Sequence, residues 1–82
     1  MIARYTVVVM QDGDDSPYTV VVPALPGCIS QGASLDEALA NAEEAIALHT
    51  EGFIERGEAV PVELGETVVA TVAVEVGELV MA

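Results

Sequence analysis

One segment of this sequence specifies its own secondary structure from end to end. Residues 35–56 are mostly alanine, leucine and glutamate and contain no proline, so they favour a helix. Ser34 and Glu37 have the spacing of a capping box, in which the hydroxyl accepts from the Glu37 N–H and the carboxylate accepts from the Ser34 N–H. Arg56 suits the negative end of the helix dipole, and Gly57 can turn left-handed beyond it. The sequence therefore predicts one helix over residues 35–56.

The predicted helix has two different faces. At 100° per residue its apolar side chains gather on about one third of the circumference. We expect the following side chains to be buried there: Leu35, Ala38, Leu39, Ala42, Ala45, Ile46, His49 and Phe53. The opposite side carries carboxylates with no lysine or arginine spaced to pair with them. Four recur on nearly one line, here named the acidic helix face: Glu37, Glu44, Glu51 and Glu55. We predict that this face binds a partner; the alternative is a solvated face.

The charge of the chain restricts its partners. Its 82 residues suffice for one domain, predicted over residues 1–82, and include 14 acidic side chains against two arginines, for a net charge of −12. Direct binding to a DNA or RNA backbone is therefore not expected. Such a surface attracts basic proteins, although the acidity also has the simpler effect of keeping a valine-rich chain in solution.

Four segments have the composition of strands. They are predicted over residues 2–10, 18–23, 28–32 and 67–76. Asp12 and Gly13 suit the turn after the first, and Pro23 ends the second because proline cannot donate to a ladder. The odd-numbered residues of the first strand are uniformly apolar, so we expect that side to meet the helix. In residues 67–76 one side is uniformly apolar and the other is mixed, which indicates a half-buried strand. The apolar side consists of Val68, Ala70, Val72, Val74 and Val76, and the mixed side of Thr67, Val69, Thr71, Ala73 and Glu75.

These elements predict an α+β fold: a two-layer, mainly antiparallel βββαβ sheet with one helix on one face. A single helix leaves the other face of the sheet uncovered, and that face is rather apolar for open water. Its predicted members are Thr6, Val8, Met10, Val21 and Val69. We therefore expect a homo-oligomer, a dimer or a tetramer. Residues 77–82 form an apolar tail that either extends the last strand or packs on a neighbouring subunit.

The sequence indicates a cytoplasmic protein. It contains no uncharged run near the ~20 residues that span a membrane. Its N-terminal residues lack the basic and apolar blocks of a signal peptide. A single cysteine excludes an internal disulfide.

Residues with catalytic potential are few. Cys28 and His49 are the only cysteine and histidine, too few for a zinc site. We expect Cys28 to be buried and His49 to be partly buried and hydrogen-bonded. The aspartates near Gly13 lack the spacing of a calcium loop, and no glycine-rich phosphate loop is present. We predict no catalytic residue, no metal and no cofactor. The alternative is a small hydrolase that uses Cys28 and His49, which requires a thiol of depressed pKa.

Several strings of residues carry a family resemblance. A proline-x-leucine-proline-glycine-cysteine string occupies residues 23–28. A glycine, a serine and a glutamate-alanine pair follow within residues 32–38, and asparagine-alanine-glutamate-glutamate-alanine occupies residues 41–45. Over about residues 3–76 the chain resembles the HicB-like domain, the antitoxin half of the HicA–HicB toxin–antitoxin pairs.

The resemblance implies a fold and a function. HicB-like domains have a reduced ribonuclease H-like βββαβ fold, with the last strand beside the first and parallel to it. They bind a small basic RNA-cleaving toxin, here expected to be HicA-like, and many add a C-terminal DNA-binding domain, which we do not expect here. We therefore predict a stand-alone antitoxin domain that neutralises its toxin by stoichiometric binding. The alternative is an orphan self-associating scaffold or regulatory module with no toxin partner.

Overall fold

The computed structural model describes residues 2–78, within which three strands and one helix are formed. The elements are β1 (Val8–Gln11), β2 (Tyr18–Val21), β3 (Ile29–Gly32) and α1 (Leu35–Glu55). The strands form one antiparallel sheet in chain order, and α1 packs on one face of it. The predicted α+β class, with a helix on one face of an antiparallel sheet, is confirmed.

β1 is shorter than predicted, because its neighbour ends early. β1 and β2 are paired from Val8 opposite Val21 to the turn. Beyond Val21 the partner chain leaves the sheet, since the Val22 N–H donates to the Cys28 carbonyl at 3.2 Å and Pro23 has no N–H to offer. Residues 2–7 are therefore not a strand in the structure.

The core consists of two small clusters between sheet and helix. Val20, Ala38 and Ala42 form one, and Val22, Leu25 and Cys28 form the other. Two odd-numbered residues, Val7 and Val9, pack against the first cluster. This confirms which side of β1 meets the helix.

The start of α1 lies unusually close to β3. A Cβ added at Gly32 would lie 2.3 Å from the Ala38 backbone nitrogen, so only glycine fits there without moving the helix. Beside this contact the Asn41 side chain donates to the Gln31 carbonyl at 2.8 Å. Backbone approach and this hydrogen bond together fix the helix on the sheet.

Both helix ends have local caps. Ser34 Oγ accepts from the Glu37 N–H at 3.1 Å, as predicted. The Glu37 carboxylate accepts from the Ala33 N–H at 3.3 Å, rather than from the N–H of Ser34. The capping box therefore reaches one residue further back than its spacing predicts.

The C-terminal end is a Schellman motif. Gly57 is left-handed (φ 69°), and the N–H groups of Gly57 and Glu58 donate to the carbonyls of Ile54 and Phe53 at 3.0 and 2.9 Å. The side chain of Arg56 donates to the Glu58 carboxylate at 2.8 Å, and its guanidinium lies 4.9 Å from the Phe53 ring centroid. Arg56, which follows the last residue of α1, is therefore already paired.

After the helix, the chain is tied to the segment that precedes β1. The Tyr5 hydroxyl donates to the Pro61 carbonyl at 2.6 Å. The Thr6 N–H donates to the Glu63 carboxylate, and the Thr6 hydroxyl donates to its second oxygen at 3.0 Å. These hydrogen bonds hold residues 61–63 beside the segment that precedes β1.

Residues 67–76, here named the arm, correct the predicted fourth strand. Every arm residue is exposed, and none belongs to a strand in the described part of the chain. The alternation that predicted a strand reports the polarity of its two sides, but a strand also needs a neighbour for its backbone hydrogen bonds. The parallel pairing with the first strand is thus not formed among residues 2–78. Of the predicted apolar tail, Leu79 to Ala82 lie outside the described residues.

Candidate partner-binding surfaces

The acidic helix face is a straight row of exposed carboxylates. Glu37, Glu44 and Glu51 follow one another at seven-residue intervals, and Glu55 lies one turn beyond. At 100° per residue all four lie within about 40° of one line, and at 1.5 Å per residue that line is about 27 Å long. All four residues are exposed.

The four carboxylates differ in what they already bind. Glu37 accepts from the Ala33 N–H and so belongs partly to the helix cap. None of the described residues donates a hydrogen bond to the side chains of Glu44, Glu51 or Glu55. We therefore expect these three to interact with a partner, and Glu37 to be mainly structural.

Leu48 is a residue of this surface that the sequence analysis missed. It is 63% exposed although it lies in the middle of the helix. The helical wheel places it about 20° from Glu37, between Glu44 and Glu51 on the same face. Its position outside the apolar stripe was the available signal. The surface therefore combines a large apolar side chain with carboxylates on both sides.

The open sheet face is the side of the sheet away from α1. Val8 lies opposite Val21, and Val21 lies opposite Ile29, so these three residues share that face with Met10. Met10 and Ile29 are exposed. The sequence analysis did not predict Ile29 as a member of this face, because it did not assign the residues of the third strand to either side of the sheet.

Two predicted members of this face belong to no strand among the described residues. Thr6 precedes β1 and donates to Glu63 at the sheet edge. Val69 lies in the arm, far from any described strand in sequence, and is 81% exposed. The strand register thus places Val8, Met10 and Val21 on one face, whereas the membership of Thr6 and Val69 stays a prediction.

A groove runs between the segment before β1 and the helix. It consists of two adjoining pockets, of about 230 and 440 Å³, which share Ala3, Tyr5, Glu43 and Ile46. Leu39 lines it and stays 40% exposed, although it belongs to the predicted buried stripe. We name this feature the edge groove; it leaves apolar side chains of sheet and helix only partly covered.

Cys28 and His49 are the two residues that the hydrolase alternative requires. Cys28 is buried beside Val22 and Leu25, and this burial raises the pKa of its thiol. His49 is half-buried, with its ring centroid 5.7 Å from that of Phe53. The raised pKa is opposite to what the hydrolase alternative requires.

Within residues 2–78 no three histidine, cysteine or acidic side chains are grouped to hold a metal ion. No helix in that range is long and apolar enough to cross a membrane.

Known proteins resemble this chain along most of its length. The sequence model of the family described as "HicB_like antitoxin of bacterial toxin-antitoxin system" matches residues 5–77. A UPF0150 protein of Thermoplasma acidophilum is 42% identical over 65 residues, covering 79% of this chain and 93% of that protein. A UPF0150 protein of Archaeoglobus fulgidus is 40% identical over 65 residues, covering 77% and 93%. An uncharacterized 14.9 kDa protein of Haemophilus phage HP1 is 52% identical over 44 residues, covering 54% and 33%. This chain belongs to the HicB-like antitoxin family.

Proposed function

We propose that this chain is a cytoplasmic antitoxin that binds a small basic RNA-cleaving toxin of the HicA-like kind and neutralises it stoichiometrically, without catalysis of its own. Membership of the antitoxin family supports the class of function. The observation that carries the binding mode is the row of exposed carboxylates around Leu48 on α1. The proposed site consists of Glu44, Leu48, Glu51 and Glu55, with Glu37 at its edge.

In this proposal, electrostatic attraction brings the two proteins together and so sets the association rate. A net charge of −12 attracts a basic protein from about a Debye length away, and a row of like charges orients it as it approaches. Exposed ion pairs contribute little affinity by themselves. The carboxylates are therefore expected to act mainly on the association rate and on its dependence on salt.

In this proposal, burial of Leu48 against the toxin slows dissociation of the complex. Interfaces gain most of their binding energy from a few central side chains that become fully desolvated, with a polar rim that keeps water out. Leu48 has this arrangement, since it projects between Glu44 and Glu51. We expect a pocket for Leu48 on the toxin, bordered by lysine or arginine.

Binding at this face also explains neutralisation. A ribonuclease binds the phosphates of its substrate with basic side chains. A carboxylate row about 27 Å long occupies such side chains when it docks on them. The antitoxin would therefore compete directly with RNA for the toxin surface.

The proposal is tested with a short reading frame beside this chain's gene, chosen for a product rich in lysine and arginine. The two chains are co-expressed, captured through a tag on one of them, and weighed by light scattering. We expect a complex of fixed composition and relief of the neighbour's toxicity. A basic neighbour that neither binds nor is neutralised would contradict the proposal.

The binding mode is tested with charge-matched variants. The triple variant Glu44→Gln, Glu51→Gln, Glu55→Gln removes three charges from α1, and the control Glu66→Gln, Glu75→Gln, Glu78→Gln removes three charges from exposed positions outside it. At low salt we expect association to slow about tenfold for the helix variant, with a flatter salt dependence, and less than about threefold for the control. Equal slowing by both variants would show that net charge, and not the helix row, steers binding.

The open sheet face favours a second candidate function, a self-associating scaffold or regulatory module. Val8, Met10, Val21 and Ile29 form a partly exposed apolar surface there, which suits a dimer or a tetramer. A stable homo-oligomer that ignores the basic neighbour would favour this function over the antitoxin. A homo-oligomer that still binds the neighbour is compatible with the antitoxin proposal.

A further inference from the structure

The arm is an extended segment without a neighbouring strand, and the edge groove is an apolar groove that is partly empty. We infer that residues 67–76 form a strand exchanged between two copies of this chain, each arm lying in the edge groove of the other copy. The exchange is independent of toxin binding, because neither the arm nor the lining of the edge groove includes Leu48 or a residue of the acidic helix face. The partner is thus a second copy of the same chain.

The arm has the side-chain pattern of a strand without the neighbour that a strand needs. Every second residue of the arm is valine or alanine, so one side of an extended arm is uniformly apolar. This side consists of Val68, Ala70, Val72, Val74 and Val76. The five valines of the arm are 61–81% exposed, so nothing in their own copy covers them. An extended, apolar, unpaired segment of this kind pairs readily with another chain.

The edge groove has the matching shape and chemistry. β1 is the outer strand of the sheet among the described residues, so its free edge is open to a further strand. The groove beside it is lined by Tyr5, Val7, Leu39 and Ile46 and is partly empty. A strand laid there would bury one apolar side against the helix and pair its backbone with the segment before β1.

The exposed area of the chain is too large for a closed monomer and sufficient for a stable dimer. The accessible area is 6699 Å², whereas a compact protein of 8.5 kDa exposes about 4,700 Å². The radius of gyration is 16.0 Å, compared with about 12 Å for a compact domain of this length. The excess is about 2,000 Å² per copy, and stable interfaces bury about 1,200–2,000 Å² in total.

Position and charge favour a second copy over closure within one chain. The bonds of Tyr5 to Pro61 and of Thr6 to Glu63 hold residues 58–66, here named the connector, beside the groove. Residues 62–67 then line a pocket together with Pro23 and Ala24. From there the arm continues into solvent instead of returning along β1.

The arm also suits a like-charged partner. Two chains of net charge −12 repel each other wherever their carboxylates meet. Residues 67–74 carry no charge, and Glu43 is the only charged residue that lines the described groove. Two copies can therefore meet along the arm with little repulsion.

The inference is tested by nuclear magnetic resonance on a mixture of isotope-labelled and unlabelled chain. We expect Overhauser contacts between the methyl groups of Val72 or Val74 in one copy and the Tyr5 ring in the other, together with a dimeric mass by light scattering. Contacts confined to one copy in a monomer would overturn the inference, as would an arm that contacts no other residue.

Two variants with the same added charge test the side of the arm that is buried. Val72→Glu places a carboxylate on the inner side, and Thr71→Glu places one on the outer side. We expect the dissociation constant of the dimer to rise at least about 100-fold for Val72→Glu and less than about fivefold for Thr71→Glu. Equal effects would contradict exchange in this register. Helical circular dichroism checks that both variants stay folded, as expected because the arm is exposed in its own copy.

Discussion

α1 and the arm have equally regular sequence patterns, yet only α1 forms its predicted secondary structure within the described chain. A helix makes its backbone hydrogen bonds within itself, and α1 has caps at both ends that are specified by neighbouring residues. A strand makes them with another strand, so its pattern states only what its two sides prefer. The difference teaches that periodicity predicts an element fully only when the element contains its own partners.

The sheet and helix differ from the arm in burial as well. Leu25 and Val20 have no exposed area, whereas every residue of the arm is exposed. Stability of the isolated chain should therefore reside almost entirely before residue 57. Paired substitutions, one in the packed part and one after it, measure this contrast.

The largest contrast is expected between two leucine truncations. Leu25→Ala leaves a cavity in a fully buried cluster and should lower the free energy of unfolding by about 2–5 kcal/mol. Leu64→Ala removes a side chain that is 93% exposed and should change it by less than about 0.5 kcal/mol. Urea unfolding followed by circular dichroism measures both. A similar loss for the two variants would show that the connector is packed in solution.

Two glycine substitutions give the next largest contrast. Gly32→Ala places a methyl group 2.3 Å from the Ala38 nitrogen, so α1 must move and about 1–3 kcal/mol should be lost. Gly65→Ala meets no atom within 4 Å and should leave stability unchanged or raise it by a few tenths of a kcal/mol. Thermal unfolding compares the two. A tolerated Gly32→Ala would mean that the helix start does not contact β3.

A smaller effect tests the local caps that distinguish α1. Ser34→Ala removes the acceptor for the Glu37 N–H and should cost about 1 kcal/mol. Ser34→Asp keeps an acceptor at the same position and should restore most of the loss. Failure of aspartate to restore stability would indicate that the serine acts through packing instead of capping.

The smallest effect is a change of stability at alkaline pH. Burial raises the pKa of the Cys28 thiol, so the folded state retains this proton at a pH where the unfolded chain, with a pKa of about 8.5, releases it. The contribution of the thiol is complete below that value and is lost as the pH rises towards the folded pKa. We expect stability to fall more steeply between pH 8 and 10 for the natural chain than for Cys28→Ala. Equal slopes would show that the thiol titrates alike in both states.

Much of the fold and part of the candidate site were predictable from sequence. The helix bounds, the three strands and the side of β1 that meets α1 follow from propensity, turn residues and period. The exposure of Leu48 was readable from a helical wheel but was overlooked beside the charged residues. The partner of the arm was not readable at all, because it depends on which sheet edge stays open after the chain has folded.

One measurement tests the central claim, that this chain is an antitoxin that acts by stoichiometric contact through α1. A lysine- and arginine-rich protein from a reading frame beside its gene is incubated with RNA, and cleavage is followed while this chain is added. The account predicts that cleavage falls in proportion to the added chain and stops at a fixed whole-number ratio, and that Leu48→Ala shifts the titration to at least about tenfold higher concentration without loss of fold. Cleavage that continues undiminished at a large excess of the chain would contradict the account.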